Sequence, residues 1–159
     1  MSKIIIPDTV DEAISITRPT AIAILKTVEA TWGPECVWGF VETPNCLCQT
    51  TFDFCANETA EWNPKWGKQS DFVDIAMSKL KVVLREKCNT SIIVATKPWL
   101  LEEGEFLYAG GAYSDGIAAA VSGAKAWADE CIAEILISNI KMLARLRADF
   151  FKEKEMMQI

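Results

Sequence analysis

The alternation of apolar and polar residues along the chain predicts helices at both ends and in the middle. An apolar stripe with the helical period of 3.6 residues begins after an acidic start near position 8 and runs to Val28. Pro19 interrupts this stripe, so we predict that a first helix ends there and that Thr17 caps a second one. Further amphipathic stripes predict helices over residues 70–85 and 126–151.

Short runs typical of β-strands lie between these helices. Residues 37–41 and 47–54 flank a Thr-Pro-Asn turn and predict a hairpin. Residues 91–95 predict another short strand, and residues 106–109 and 116–121 predict two more around a glycine-rich turn. Strands in the middle of the chain with helices around them predict an α/β fold. We expect a central, mainly antiparallel sheet flanked by helices, which is an α/β/α sandwich.

Length and composition favour a single domain. The chain has 159 residues, of which 50% are hydrophobic and 24% charged. We predict one domain over residues 1–159, with an arm at 1–8 and a frayed tail at 152–159. No segment reaches the roughly 18 consecutive apolar residues of a membrane span, and the apolar run at the start is too short for a signal peptide. We therefore expect a cytoplasmic protein without a membrane partner.

Charge, cysteine and histidine content exclude several classes of function. A net charge of -6 disfavours nucleic-acid binding, because it repels phosphate backbones. Six cysteines without a secretion signal indicate free thiols in a reducing compartment, and we expect Cys36, Cys48 and Cys131 to fill core positions. Their spacing does not match a zinc site, so no metal is predicted. The chain has no histidine, which excludes Ser/His/Asp and Cys/His catalysis and histidine-ligated haem.

One segment carries a resemblance to a known family. Its residues are Gly110, Gly111, Asp115, Gly116, the run Val121-Ser122-Gly123-Ala124, Asp129 and Ala133. Weaker similarity upstream involves Ser70, Ala76, Lys79, Thr90 and Ser91. Over roughly residues 10–145 the chain resembles the GlcG/HbpS-like (haem-binding-protein-like, PduO C-terminal-like) family. The resemblance implies an α/β/α sandwich, a homo-oligomer and binding of a small molecule or haem. Some proteins of this size in nitroaromatic pathways are lyases that act on hydroxylamino-aromatic acids.

Several side chains are candidates for binding a small organic acid. Trp62 and Trp66 lie in a polar loop and could wall an aromatic pocket; a subunit interface or a loop staple is the alternative explanation, and the commoner one. Arg18 could clamp a carboxylate, or form a surface salt bridge. Lys79 lies among the apolar residues of the middle helix and could face the same pocket, or extend along the surface to solvent.

Without histidine, proton transfer falls to a tyrosine or a carboxylate. We predict Tyr113, Glu105 and Asp129 as catalytic candidates, with solvated turn or capping roles as the alternative for the two carboxylates. Tyr108 flanks the glycine pair on the other side from Tyr113. Ser122 lies at a strand-to-helix junction whose backbone N–H groups could bind an anion. We add both to the predicted substrate-binding residues.

The sequence is compatible with three hypotheses of function. The first is a small-molecule catabolic enzyme, a lyase acting on an aromatic or other small organic acid, without a cofactor. The second is a haem-binding or sensing protein that ligates haem without histidine. The third is a non-catalytic accessory subunit of a catabolic operon. We favour the first, because tyrosine, carboxylate and cation chemistry is compatible with a chain that lacks histidine.

Overall fold

Helices cover both faces of one antiparallel sheet. The computed structural model describes residues 4–29, 36–44, 49–57 and 68–154. Its helices are α1 (Pro7–Glu29), α2 (Gln69–Glu86), α3 (Thr90–Thr96) and α4 (Ala126–Glu153). Its strands are β1 (Cys36–Glu42), β2 (Thr50–Cys55), β3 (Gly111–Ser114) and β4 (Ile117–Ser122), in the order β2-β1-β4-β3. Every neighbouring pair is antiparallel, which confirms the predicted α/β/α sandwich.

Residues on β4 alternate between two hydrophobic clusters, one on each face of the sheet. Ile117, Ala119 and Val121 pack on the face covered by α1 and α4, which holds the larger cluster. Ala118 and Ala120 pack on the opposite face, against α2. Successive side chains of a strand point to opposite faces, so this short strand supports both clusters. In the described residues, no helix is long and apolar enough to cross a membrane.

The hairpin and the two amphipathic helices predicted beyond residue 30 are present. Val37 of β1 pairs with Phe54 of β2 in the predicted hairpin, and α2 covers the stripe at 70–85. The last helix, α4, begins at the predicted residue and continues two residues into the predicted tail, to Glu153.

The prediction of two helices separated at Pro19 is wrong. The helix α1 is continuous, and Pro19 lies inside it on an exposed position, where the helix tolerates the loss of one N–H donor. Thr17 is buried within α1 and caps nothing. Its hydroxyl group donates to the Ala13 carbonyl oxygen at 2.7 Å, one turn earlier. Packing of α1 against α4 and β2 therefore keeps both halves of the helix together.

Two predicted strands are also wrong. Residues 91–95 belong to the helix α3, although their sequence is rich in β-branched residues. The carboxylate of Glu130 on α4 accepts a hydrogen bond from the Ser91 N–H at 3.0 Å, which stabilises the start of that helix. Residues 106–109 are irregular and largely exposed. The strand lies further on, at β3, because Gly111 and its successors pair with β4.

Cysteine burial follows the prediction only in part. Cys36 on β1 is buried, as predicted. Cys131 is exposed, so its predicted core position is wrong; it lies on the side of α4 that faces away from the sheet. Cys48 lies outside the described residues. Among the residues that the structure describes, Cys55, Cys88 and Cys131 are free thiols.

Candidate functional site

A largely apolar cavity lies beside the end of β4. Its volume is about 540 Å³, within the usual range of small-molecule sites. Apolar walls are formed by Phe72, Ile75, Val94, Ala95, Leu107 and Trp127. Polar groups on the walls belong to Lys79, Ser91, Tyr108, Ser122, Lys125 and Asp129. Most of the lining is therefore apolar, with a few polar groups that could orient a ligand.

The polar residues of the cavity come from α2, β4 and α4, which meet at this end of the sheet. Lys79 lies on the buried side of α2, one helical turn after Ala76, which packs on the sheet. Ser122 is the last residue of β4 and shares its α2-facing side with Ala120. Asp129 lies in the first turn of α4, which follows β4 after a short connection. The strand-to-helix connection thus places a hydroxyl and a carboxylate near the lysine on α2.

Lys79 and Asp129 form a buried ion pair. The Lys79 Nζ atom is 3.4 Å from Asp129 Oδ2, and it donates a second hydrogen bond to the Val121 carbonyl oxygen at 3.0 Å. The side chains are 4% and 3% exposed. Asp129 Oδ1 accepts a hydrogen bond from the Ala124 N–H at 3.0 Å. A buried charge is tolerated only when it is paired in this way.

Burial shifts the acid–base properties of both members of the pair. Desolvation raises the pKa of Asp129 from 3.8 to about 6, against the opposing effect of the Lys79 charge. Desolvation also lowers the pKa of Lys79 below its usual 10.5, and the Asp129 charge opposes this. Both pKa values are therefore shifted towards neutral pH from those of exposed lysine and aspartate, which suits the two groups to proton transfer.

Gly110 packs directly against the lysine. Its φ angle of +139° lies in a region that side-chain-bearing residues rarely adopt. A methyl group at this position would overlap Lys79 Nζ and would lie 2.6 Å from the Val121 carbonyl oxygen. A side chain at position 110 would therefore force Lys79 Nζ or the backbone at Val121 to move from its place in the ion pair.

Glu130, next to Asp129 in the chain, binds Ser91, which lines the cavity, and two further residues beside it. Its Oε2 atom accepts hydrogen bonds from the Ser91 N–H at 3.0 Å, the Thr90 hydroxyl at 3.3 Å and the Gly110 N–H at 3.4 Å. This buried carboxylate connects α4 to the start of α3 and to the segment before β3. Glu130 was not predicted as a site residue; the adjacent acids at 129 and 130 in an otherwise apolar helix are the signal that could have found it.

Four of the predicted site residues line this one cavity. They are Lys79, Tyr108, Ser122 and Asp129. Lys79 is buried and paired, so the interpretation of a lysine extending to solvent does not hold. Asp129 does more than cap its helix, because it is also the partner of the lysine. Two aromatic residues of the lining were not predicted: Trp127 is 73% exposed at the start of α4, and Phe72 comes from α2.

The other predicted site residues lie elsewhere. Arg18 donates to the Asp53 carbonyl oxygen at 3.2 Å and lies over the Phe54 ring. Glu105 is bound by Arg85, with N–O distances of 2.7 and 3.0 Å, which lowers its pKa.

Tyr113 is part of a smaller surface pocket, beside Asn89 and Lys141. Trp62 and Trp66 lie outside the described residues. Within the described ranges, no group of three or more cysteine and acidic side chains is placed to hold a metal ion.

Comparisons with known proteins add a structural similarity. No family model matches the chain, and no curated protein matches it. A solved structure, described as the crystal structure of Ybr137w protein, is similar over 81% of this chain and 78% of that chain. Its sequence identity is 16% and its TM-score 0.47, so the similarity carries no argument about function.

Proposed function

We propose that this chain is a small-molecule catabolic enzyme, a lyase that acts on an aromatic or other small organic acid in the cavity beside Lys79. The observation that carries the proposal is the buried Lys79–Asp129 pair on the wall of an otherwise apolar cavity of about 540 Å³. Electrostatic interactions are stronger in such a buried, apolar environment, but burying two charged groups there lowers the stability of the fold. A catalytic or binding role explains why that cost is accepted.

The lining favours a flat apolar ligand with an anionic end. Phe72, Trp127 and Tyr108 offer aromatic surfaces for a ring. The first turn of α4, with Ser122 and Lys125 beside it, favours a carboxylate through the helix dipole and a nearby positive charge. In this arrangement Asp129 is the proton-transfer group, since its pKa of about 6 is close to the working pH.

Ligand-observed NMR with benzoate, 4-hydroxybenzoate and 4-hydroxylaminobenzoate tests binding. We expect saturation transfer to the ring protons of at least one of these acids. Ala95→Trp should abolish it, because position 95 lines the cavity and a large side chain there fills it. Ser138→Trp is the matched control, since position 138 is exposed on α4 in the separate pocket beside Tyr113. Transfer that survives Ala95→Trp would contradict the proposed site.

Chemistry is tested with the acids that bind. Chromatography should reveal a product from 4-hydroxylaminobenzoate, with release of ammonium, and Asp129→Asn should slow its formation by about a hundredfold or more if Asp129 is the general acid–base. Binding without any product would leave a binding protein rather than a lyase. A shift of the haem absorbance on titration, with no acid bound, would favour the haem-binding hypothesis instead.

A further inference from the structure

We propose that Lys79 is a nucleophile that forms an imine with a carbonyl compound in the cavity, so that the substrate class is an organic acid carrying an aldehyde or ketone group. This inference rests on the proposed function, because it uses the same cavity. Its basis is geometric: Lys79 is buried, lines an apolar cavity and has a carboxylate as its partner.

The environment of Lys79 differs from that of the other lysines. In the part of the chain that the structure describes, Lys79 is the one buried lysine. A lysine attacks carbonyl carbon only as the neutral amine, and an exposed lysine is protonated at neutral pH. Burial among apolar residues disfavours the ammonium form and lowers the pKa of Lys79. Such desolvation is a recognised way to activate a lysine for imine formation.

The hydrogen bonds around Nζ match the needs of a neutral amine. A neutral amine has two N–H donors and one lone pair. The two observed acceptors, the Val121 carbonyl oxygen at 3.0 Å and Asp129 Oδ2 at 3.4 Å, account for both donors. The lone pair then remains available for a carbonyl carbon. Gly110 completes the arrangement, because any side chain there would displace the amine.

Asp129 supplies the proton relay that imine formation requires. The Nζ lone pair bonds to the carbonyl carbon, and the C=O π electrons move to oxygen. Asp129 takes one N–H proton and passes it to that oxygen, which gives a carbinolamine. It then passes the second N–H proton to the hydroxyl group, the C–O bond breaks and water leaves as the C=N bond forms. Both amine protons end in the water molecule, and no oxidant is consumed.

Such an imine would explain a lyase activity at this site. Once protonated, the C=N group draws electrons from the bond next to the former carbonyl carbon, and that bond can break. Asp129 is placed to exchange the proton that cleavage requires. The inference therefore names the substrate class as carbonyl-bearing acids, such as 2-oxo acids and formyl-substituted aromatic acids.

Reductive trapping tests the inference on the full chain. The protein is incubated with 4-formylbenzoate or benzoylformate and sodium cyanoborohydride, and adducts are located by intact-mass and peptide mass spectrometry. We expect one adduct, on Lys79, to form about tenfold or more faster than on any exposed lysine, because more of the buried amine is neutral. Lys79→Arg should remove it, and Lys141→Arg should not.

A second variant keeps the test decisive if Lys79→Arg fails to fold. Ala95→Trp retains Lys79 but fills the cavity, so it should prevent the adduct, whereas Ser138→Trp should not. Equal labelling of exposed lysines, or an adduct that survives Ala95→Trp, would overturn the inference. Binding of benzoate, or turnover of 4-hydroxylaminobenzoate, which has no aldehyde or ketone group, without any adduct from the carbonyl acids would refute the imine while leaving the proposed function standing. If neither benzoate binding nor a Lys79 adduct is observed, the imine and the proposed function are both refuted.

Discussion

Lys79 and Asp129 are ionisable groups that the apolar residues around them cannot solvate, so each depends on the other as a hydrogen-bond partner. Lys79→Met should cost about 3–5 kcal/mol, because it leaves a buried carboxylate without its partner. The double variant Lys79→Met/Asp129→Asn should be more stable than the sum of the single changes predicts, by about 1 kcal/mol or more.

The difference from additivity is the coupling energy of the pair. Urea unfolding of the wild type, the two single variants and the double variant measures it. Lys152 and Asp149 on α4 offer a matched control, because they form an exposed pair at 3.5 Å. A double-mutant cycle on that pair should give about 0–0.5 kcal/mol. Additive effects at Lys79 and Asp129 would show that the two buried groups do not stabilise one another.

The raised pKa of Asp129 has a consequence for stability as a function of pH. Because this pKa is about 6 in the folded chain and 3.8 ordinarily, the folded state binds the proton more tightly. The stability that this group contributes is therefore complete below about pH 4 and is lost as the pH rises through 6. Across that range, the free energy of unfolding of the wild type relative to Asp129→Asn should fall by about 3 kcal/mol.

Glu105 provides a control of opposite sign. Its hydrogen bonds with Arg85 lower its pKa, so its contribution is present at neutral pH and is lost as the pH falls. The free energy of unfolding of the wild type relative to Glu105→Gln should therefore rise with pH. Thermal or urea unfolding at several pH values measures both differences. If the stability differences for Asp129→Asn and Glu105→Gln change with pH in the same direction, the assigned burial of Asp129 is wrong.

Gly110 links backbone conformation to the ion pair. Gly110→Ala should destabilise the fold by more than about 2 kcal/mol, because it adds overlaps with the Val121 carbonyl oxygen and Lys79 Nζ to the cost of a positive φ angle. Gly104→Ala is the control: it also has a positive φ angle, but nothing lies within 4 Å of the added atom. Its cost should be about 1–2 kcal/mol, from backbone conformation alone. Equal losses in urea unfolding would mean that Gly110 serves only the turn.

At the scale of elements, local patterns succeed where an element's own residues decide its structure. The stripes of α2 and α4 are long and regular, and the hairpin of β1 and β2 has a turn signal between its strands. The short helix α3 has neither advantage. Its β-branched residues favour a strand, and it becomes a helix because Glu130, far along the chain, satisfies its first turn.

The dependence of α3 on Glu130 is testable by hydrogen exchange. Glu130→Ala removes the acceptor for Ser91 and Thr90, so the amides of α3 should exchange faster, while those of α2 keep their protection. Glu103→Ala, at an exposed position in the loop before β3, is the control and should change neither helix. Unchanged exchange in α3 after Glu130→Ala would show that packing alone holds that helix.

At the scale of the whole molecule, the cavity was only half predictable. Lys79 was predicted because it lies among the apolar residues of α2, and Asp129 as a carboxylate that could transfer protons in a chain without histidine; both line the cavity. Their pairing was hidden, because they are 50 residues apart and meet only through the order of strands in the sheet. For the same reason Arg18 and Tyr113, equally plausible from sequence, lie away from the cavity, and the wall residue Trp127 was not singled out.

Because one four-stranded sheet supports both hydrophobic clusters, we expect the two faces to unfold together. Leu80 belongs to the cluster under α2 and Leu136 to the cluster under α4, and both are fully buried. Either Leu→Ala change should cost about 2–5 kcal/mol and shift a single transition. Leu146→Ala, 58% exposed, should change stability by about 0.5 kcal/mol or less. Circular dichroism and tryptophan fluorescence should report the same midpoint for each variant. Separate midpoints in Leu80→Ala would mean that the α2 face, and the cavity with it, opens while the α1–α4 face remains folded, which would contradict the predicted single domain.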